Sequence, residues 1–202
     1  MKSQKSMWNS LADSWNKFRN TPRKEAIDFA ASLTGKKRIL DVGCGNARNL
    51  LPFAGNELYG IDFSENMIIA ARKFCRTHDL KVKLKVADAK KLPYKKDYFD
   101  VVLCMAVLHH FSPTLQRAVL KEIKRVMKPG ALLLLTVWHK KSYGTNYIPW
   151  KIGDKVHQRY YYFFKKPELK KLLRDVGFSV SSIKTSGEKE KNIVVLARKI
   201  AD

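Results

Sequence analysis

Apolar residues along this chain fall into short runs, each closed by a glycine, an acid or a polar turn. RILDVG (38–43), ELYGID (57–62) and VKLKVAD (82–88) each end in this way, and the third alternates cleanly. YFDVVLCMAVLHHF (98–111) contains a fourth strand, whose unbroken apolar character predicts burial on both faces, and ALLLLTVW (131–138) reads as a fifth. Helical patterns lie between them: NARNLLPFA, then SENMIIAARKFCRTH with Ser64 as N-cap, then SPTLQRAVLKEIKRVMK with Pro113 in its first turn. Alternating strands and helices predict an α/β fold with a parallel sheet and right-handed crossovers.

The C-terminal pattern differs. KKPELKKLLRDVGF predicts a helix opening at Pro167 and ending at Gly177, followed by strands FSVSSIK and NIVVLARK joined by a TSGEKEK hairpin turn. Two strands joined by a hairpin cannot both run parallel, so the seven-stranded, mostly parallel sheet needs one reversed strand here. At the other end, SMWNSLADSWNKFRNTPRKEAIDFAASL predicts two short amphipathic helices, with Trp8, Trp15 and Phe18 roughly on one side, packed on the domain or capping a cleft. With 202 residues the chain fits one domain, read as a helical cap over 1–35 and a main body over 36–202.

Charge changes the picture more than length does. Forty Lys and Arg against 18 Asp and Glu give +22, which favours a polyanionic partner, RNA, DNA or an anionic membrane; a lysine-rich proteome or hot habitat is the alternative. Between His139 and Lys171 nine basic residues face two acids, and this segment contains the row RYYYFFKK. Neighbouring side chains of an extended chain point to opposite sides, so five consecutive rings cannot all face one core. Cys44, Cys75 and Cys104 form no CxxC pair and suggest neither zinc nor disulfides, which fits a reducing cytoplasm. No apolar stretch is long enough to span a bilayer, so a soluble protein without a membrane partner is expected.

In DVGCGNARNLL, Gly43 and Gly45 stand at the turn out of the first strand, where small residues let the backbone approach a ligand. Asp62 closes the second strand, placed to accept both hydroxyls of a ribose, and Asp88 closes the third, placed for an exocyclic adenine amine or a helix N-cap. DVGCGNA, YGIDFS, ADAKKLP, FDVVLCMAVLHHF and KPGALLLLTVW together resemble the class I S-adenosylmethionine-dependent methyltransferases over about residues 36–200. The resemblance implies their Rossmann-like fold, with helices on both faces of the sheet, and S-adenosylmethionine as cofactor. It places Asp41, Gly43 and Gly45 around the methionine part, Asp62 at the ribose and Asp88 with Ala89 at the adenine, with Cys44, Phe63, Met67 and Met105 completing the site. The family usually carries glycine where this chain has Ala47, a change that costs little if φ is negative there.

MAVLHHF, PWK with RYYYFFKKPEL, and LADSWNKFRNTP further resemble the tRNA wobble-uridine carboxymethyl methyltransferases. That resemblance implies tRNA as partner, a small zinc-binding activator protein as a second partner, and methyl esterification of a carboxymethyl group on uridine. The carboxylate is anionic at neutral pH, so the chemistry asks for alignment and a forked cation rather than a base. Candidates are Arg19 and Arg159 with His109 or His110, the pocket arginine being Arg19 or Arg23. Trp138, Tyr160, Tyr161, Lys165 and Lys166 are expected to contact substrate; for Trp138 and Trp150 ordinary packing is the competing reading. Two other functions share the cofactor motifs: a methyltransferase of a small hydrophobic acid or quinone, and a non-catalytic RNA-binding protein retaining the fold.

Overall fold

A computed structural model describes residues 4–16, 18–152, 154–187 and 191–201. Its central sheet has seven strands: β1 (Arg38–Val42), β2 (Glu57–Asp62), β3 (Val82–Val86), β4 (Phe99–Met105), β5 (Met127–Trp138), β8 (Phe178–Ser186) and β9 (Asn192–Lys199). Their order is β3-β2-β1-β4-β5-β9-β8, with β9 antiparallel to both neighbours and the other pairings parallel. The reversed strand is therefore NIVVLARK, inserted beside β5; positions 188–190 of the expected TSGEKEK turn lie outside the described residues.

Alternation sorts the sheet's side chains into two cores. Val102 and Cys104 of β4 pack with α4 (Pro113–Val126) and α5 (Lys166–Val176), whereas Val101, Leu103 and Met105 face the layer of α2 (Lys24–Ala31) and α3 (Glu65–Thr77). Because β4 is buried on both faces, its sequence shows no polar alternation. Ser64 caps α3 by accepting the Met67 N–H at 3.2 Å, and Gly177 ends α5 at φ +97°, both as the sequence predicts.

Three expectations require correction. NARNLLPFA forms only a 3₁₀ segment, Arg48–Phe53, with Pro52 inside it lacking the N–H that an α-helix needs. Ala47, just before it, has φ +65°, so its backbone carries left-handed strain; its buried methyl packs in the α2/α3 core and offsets part of that cost. Phe18 is 84% exposed: α1 (Gln4–Asn16) stops short of it, so the helical phase that aligns Trp8 with Trp15 does not extend to it.

β6 (Gly144–Ile152) and β7 (Lys155–Phe163) form a separate antiparallel hairpin that the sequence pattern does not predict. The aromatic row lies on it. Arg159, Tyr161 and Phe163 are buried on one face, while Tyr160 and Tyr162 are half-exposed on the other. Among the described residues no helix is long and apolar enough to cross a membrane.

Candidate functional site

A cavity of about 340 Å³ opens at the carboxyl ends of β1, β2 and β4, in the usual size range for a ligand site. Its floor is the loop after β1. Gly43 has φ +71°, and a Cβ there would lie 2.5 Å from Val107; Gly45 has φ +54°, and a Cβ there would lie 3.1 Å from the Trp15 ring. Both positions favour glycine for conformation, and Gly43 requires it for space as well.

Asp62 ties this floor together. Its carboxylate accepts the Gly45 N–H at 3.1 Å and the Ser64 N–H at 2.9 Å, and burial pushes its pKa up to about 6. Asp41 lies behind the loop, 1% exposed, with neither carboxylate oxygen hydrogen-bonded. Burial first, then the nearby Asp62, raises its pKa to about 8. Asp88 accepts the Lys90 N–H at 2.9 Å at the rim, a turn contact that leaves it partly in water. Cys44, Phe63, Met67, Ala89 and Met105 also line the cavity.

The roof comes from α1 (Gln4–Asn16), held to the α3 start by Lys5–Glu65 at 2.9 Å and by Ser64 Oγ donating to Asn9 Oδ1 at 2.6 Å. Trp8 and Trp15 reach into the cavity from it. The far wall is an aromatic stack in which Tyr161 lies 4.9 Å from Trp138 and 5.2 Å from His109, centroid to centroid, both nearly parallel. Trp150 lies beneath Arg159, whose Cζ stands 4.6 Å from its ring.

The histidines are fixed differently. His109 is fully buried, and its Nδ1 accepts the Trp138 N–H at 3.1 Å, so the proton sits on Nε2, which has no partner. Burial, His110, Arg23 and Arg159 hold its pKa well below the usual range, leaving a neutral donor. His110 donates from Nδ1 to the Tyr160 carbonyl at 3.2 Å, and burial brings its pKa down to about 4.

Four guanidinium groups share the cavity: Arg19, Arg23, Arg48 and Arg159. None makes an ion pair with a carboxylate among the described residues, and Nε of both Arg48 and Arg159 is buried without a partner. Burial lowers the pKa of all four, and proximity to other arginines lowers Arg19 and Arg48 further. Buried cations without a direct ion pair are costly, so the arrangement is complementary to anions.

The structure thus gathers Arg19, Arg23, His109, His110, Arg159, Trp138 and Tyr161 with the glycine loop. Tyr160 is not in the lining: strand alternation turns its ring to the outer face, against Tyr147. Lys165 and Lys166 also stand outside it, on the approach to and first residue of α5. Sequence reasoning missed Arg48, whose only local signal is a cation directly following the glycine loop.

A family profile described as a methyltransferase domain matches residues 40–135. A tRNA (carboxymethyluridine(34)-5-O)-methyltransferase from Arabidopsis thaliana is 32% identical over 70% of this chain, which spans only 34% of that relative. A ubiquinone biosynthesis O-methyltransferase from Methylococcus capsulatus is 30% identical over 83% of this chain and 73% of its own length. Among solved structures, the Burkholderia thailandensis 1,6-didemethyltoxoflavin-N1-methyltransferase superposes with a TM-score of 0.76 at 21% identity, covering 97% of this chain and 85% of that one.

Proposed function

The chain belongs to the S-adenosylmethionine-dependent methyltransferases, and on that premise we propose that it esterifies the carboxymethyl group of a wobble uridine in tRNA. Arg159 and Arg19, neither of them ion-paired with a carboxylate among the described residues, stand beside a stacked aromatic wall and carry this reading. An already anionic acceptor oxygen needs no base, and the site offers poor ones: His109 presents an N–H and His110 is held at about 4. A quinol must lose its hydroxyl proton during transfer. The quinone reading draws on the Methylococcus relative and the apolar rings, but leaves the arginines unexplained.

S-adenosylmethionine is the cofactor, and the cavity fits it. Gly43 and Gly45 leave room for close approach, Asp62 can take the ribose, and Asp41 stands behind the loop, outside the lining, with its carboxylate unpartnered. The bound cofactor supplies the methyl group on a sulfonium. The chain holds the acceptor carboxylate in line through Arg159 or Arg19, donates from His109 Nε2, and excludes water with Trp8, Trp15 and Tyr161.

The two raised aspartates give a pH signature. Folded Asp41 and Asp62 keep protons that an unfolded aspartate, at 3.8, has lost, so their contribution to stability falls as pH rises from about 4 through 6 and 8. A cation brought into the cavity in front of the loop opposes this by favouring the ionised form of Asp41. At pH 7 cofactor uptake is expected to release up to about one proton. Calorimetry in buffers of different ionisation enthalpy reads this number, and Asp41→Asn is expected to reduce it sharply.

Binding to tRNA is expected to weaken steeply with salt, each neutralised phosphate adding a slope of roughly 0.7 to 0.9. Lys165 and Lys166 lie outside the cavity but in the basic segment, which suits phosphate contact. Replacing both with glutamine is expected to flatten the slope. An unchanged slope would move the footprint to the hollow where Lys83, Lys85 and Lys95 stand over Tyr59, Tyr94 and Tyr98.

A further inference from the structure

We propose that Arg48 is the anchor for the cofactor's carboxylate, which leaves Arg159 and Arg19 for the acceptor. The inference rests on the cofactor assignment alone and is independent of which acceptor is methylated.

Arg48 is the first residue of the 3₁₀ segment that follows the glycine loop, so its backbone belongs to the loop expected to hold the methionine part. Its side chain is 9% exposed and lines the cavity, with Nε buried and unpartnered. A guanidinium so deeply buried is held there at a cost unless an anion completes it. Asp41 is the carboxylate whose charge reaches it, yet neither Asp41 oxygen is hydrogen-bonded. Of these two unsatisfied groups only Arg48 lines the cavity, so its guanidinium is the one placed to meet the carboxylate of an amino acid.

Trp15 adds an independent positional argument. Its ring lies 3.1 Å from where a Gly45 Cβ would stand, with the Arg48 guanidinium carbon 5.6 Å from the ring centroid and that of Arg19 at 4.7 Å. Trp15 therefore roofs the glycine loop beside Arg48. Arg159 instead lies on β7 over Trp150 and Tyr161, among the rings that form the acceptor wall. Arg23 is the rival for the carboxylate, because its backbone N–H donates to Asn49, the neighbour of Arg48, at 3.1 Å. Arg23 sits on the loop before α2, whereas Arg48 directly follows the glycine loop and leaves its Nε buried without a partner, so Arg48 is preferred.

The test is equilibrium binding of two ligands that differ only in this group: S-adenosylhomocysteine and its decarboxylated analogue, S-adenosyl-3-thiopropylamine. The parent protein is expected to prefer the carboxylate ligand by about 10- to 100-fold, the value of charge-assisted hydrogen bonds to one group. Arg48→Gln is expected to abolish that preference while holding affinity for the analogue within about twofold. Arg48→Lys, which keeps the charge without the fork, is expected to retain part of it. Equal loss for both ligands in Arg48→Gln would make the residue structural, and an unchanged preference would remove it from the site. Loss of preference in Arg23→Gln alone would transfer the role to Arg23; either of these results overturns the proposal. Should Arg48→Gln misfold, the lysine variant and Arg23→Gln still decide between the two arginines.

Discussion

Arg159→Lys is expected to slow single-turnover methylation of carboxymethyl-bearing tRNA by roughly 100-fold while changing tRNA affinity by less than about threefold. Lysine keeps the positive charge but replaces a planar fork with a point charge, and it loses the stacking that fixes the guanidinium over Trp150 and Tyr161. The acceptor oxygen must stand in line with the bond being broken, and small misplacement is costly there. Affinity is protected because one nucleotide contact is small beside the whole phosphate footprint. Arg19→Lys is the matched comparison: its guanidinium also bonds the Trp15 carbonyl at 3.1 Å, so its loss disturbs the roof as well. Equal and modest losses of rate and affinity in both variants would take the two arginines out of the acceptor site.

Asp62→Ala is expected to weaken S-adenosylmethionine binding by at least about 100-fold, since two hydrogen bonds to a charged carboxylate are worth roughly 1.5–3 kcal/mol each. The same change frees the Gly45 and Ser64 N–H groups, loosening the glycine loop that shapes the floor. Asp88→Ala is the contrast. Its carboxylate is half-exposed and shared with Lys90, so a loss of about tenfold or less is expected. Calorimetry on variants with native circular dichroism separates the two, and an Asp62→Ala protein that binds like the parent would refute the ribose assignment.

The parts legible in the sequence are those decided by local physics. RILDVG, ELYGID and the run ahead of HHF are largely apolar segments because the sheet is covered on both faces, and Gly43 combines a left-handed backbone with a close approach to Val107 that leaves no room for a Cβ. The β6–β7 hairpin was not legible. GTNYIPWKI mixes Pro149, Trp150 and Lys151 without regular alternation, and what makes it a strand is pairing with β7, a contact made in space. Once that pairing is known, alternation alone puts Arg159 and Tyr161 inside and Tyr160 outside. Arg48 was hidden for another reason: cations are rarely buried, and nothing in NARNLL signals a guanidinium turned inward beneath Trp15.

The proposed transfer of the methyl group to a carboxylate on a wobble uridine is what separates this enzyme from other methyltransferases of the same fold. It is tested by incubating the protein with labelled S-adenosylmethionine and two preparations of one tRNA, carboxymethyl-bearing and unmodified, then digesting to nucleosides for mass spectrometry. Label is expected in the methyl ester of carboxymethyluridine, released as methanol by mild base, and none in the unmodified tRNA. Label in both tRNAs at a base-stable position, or label only in a phenolic acceptor supplied alongside them, would contradict it.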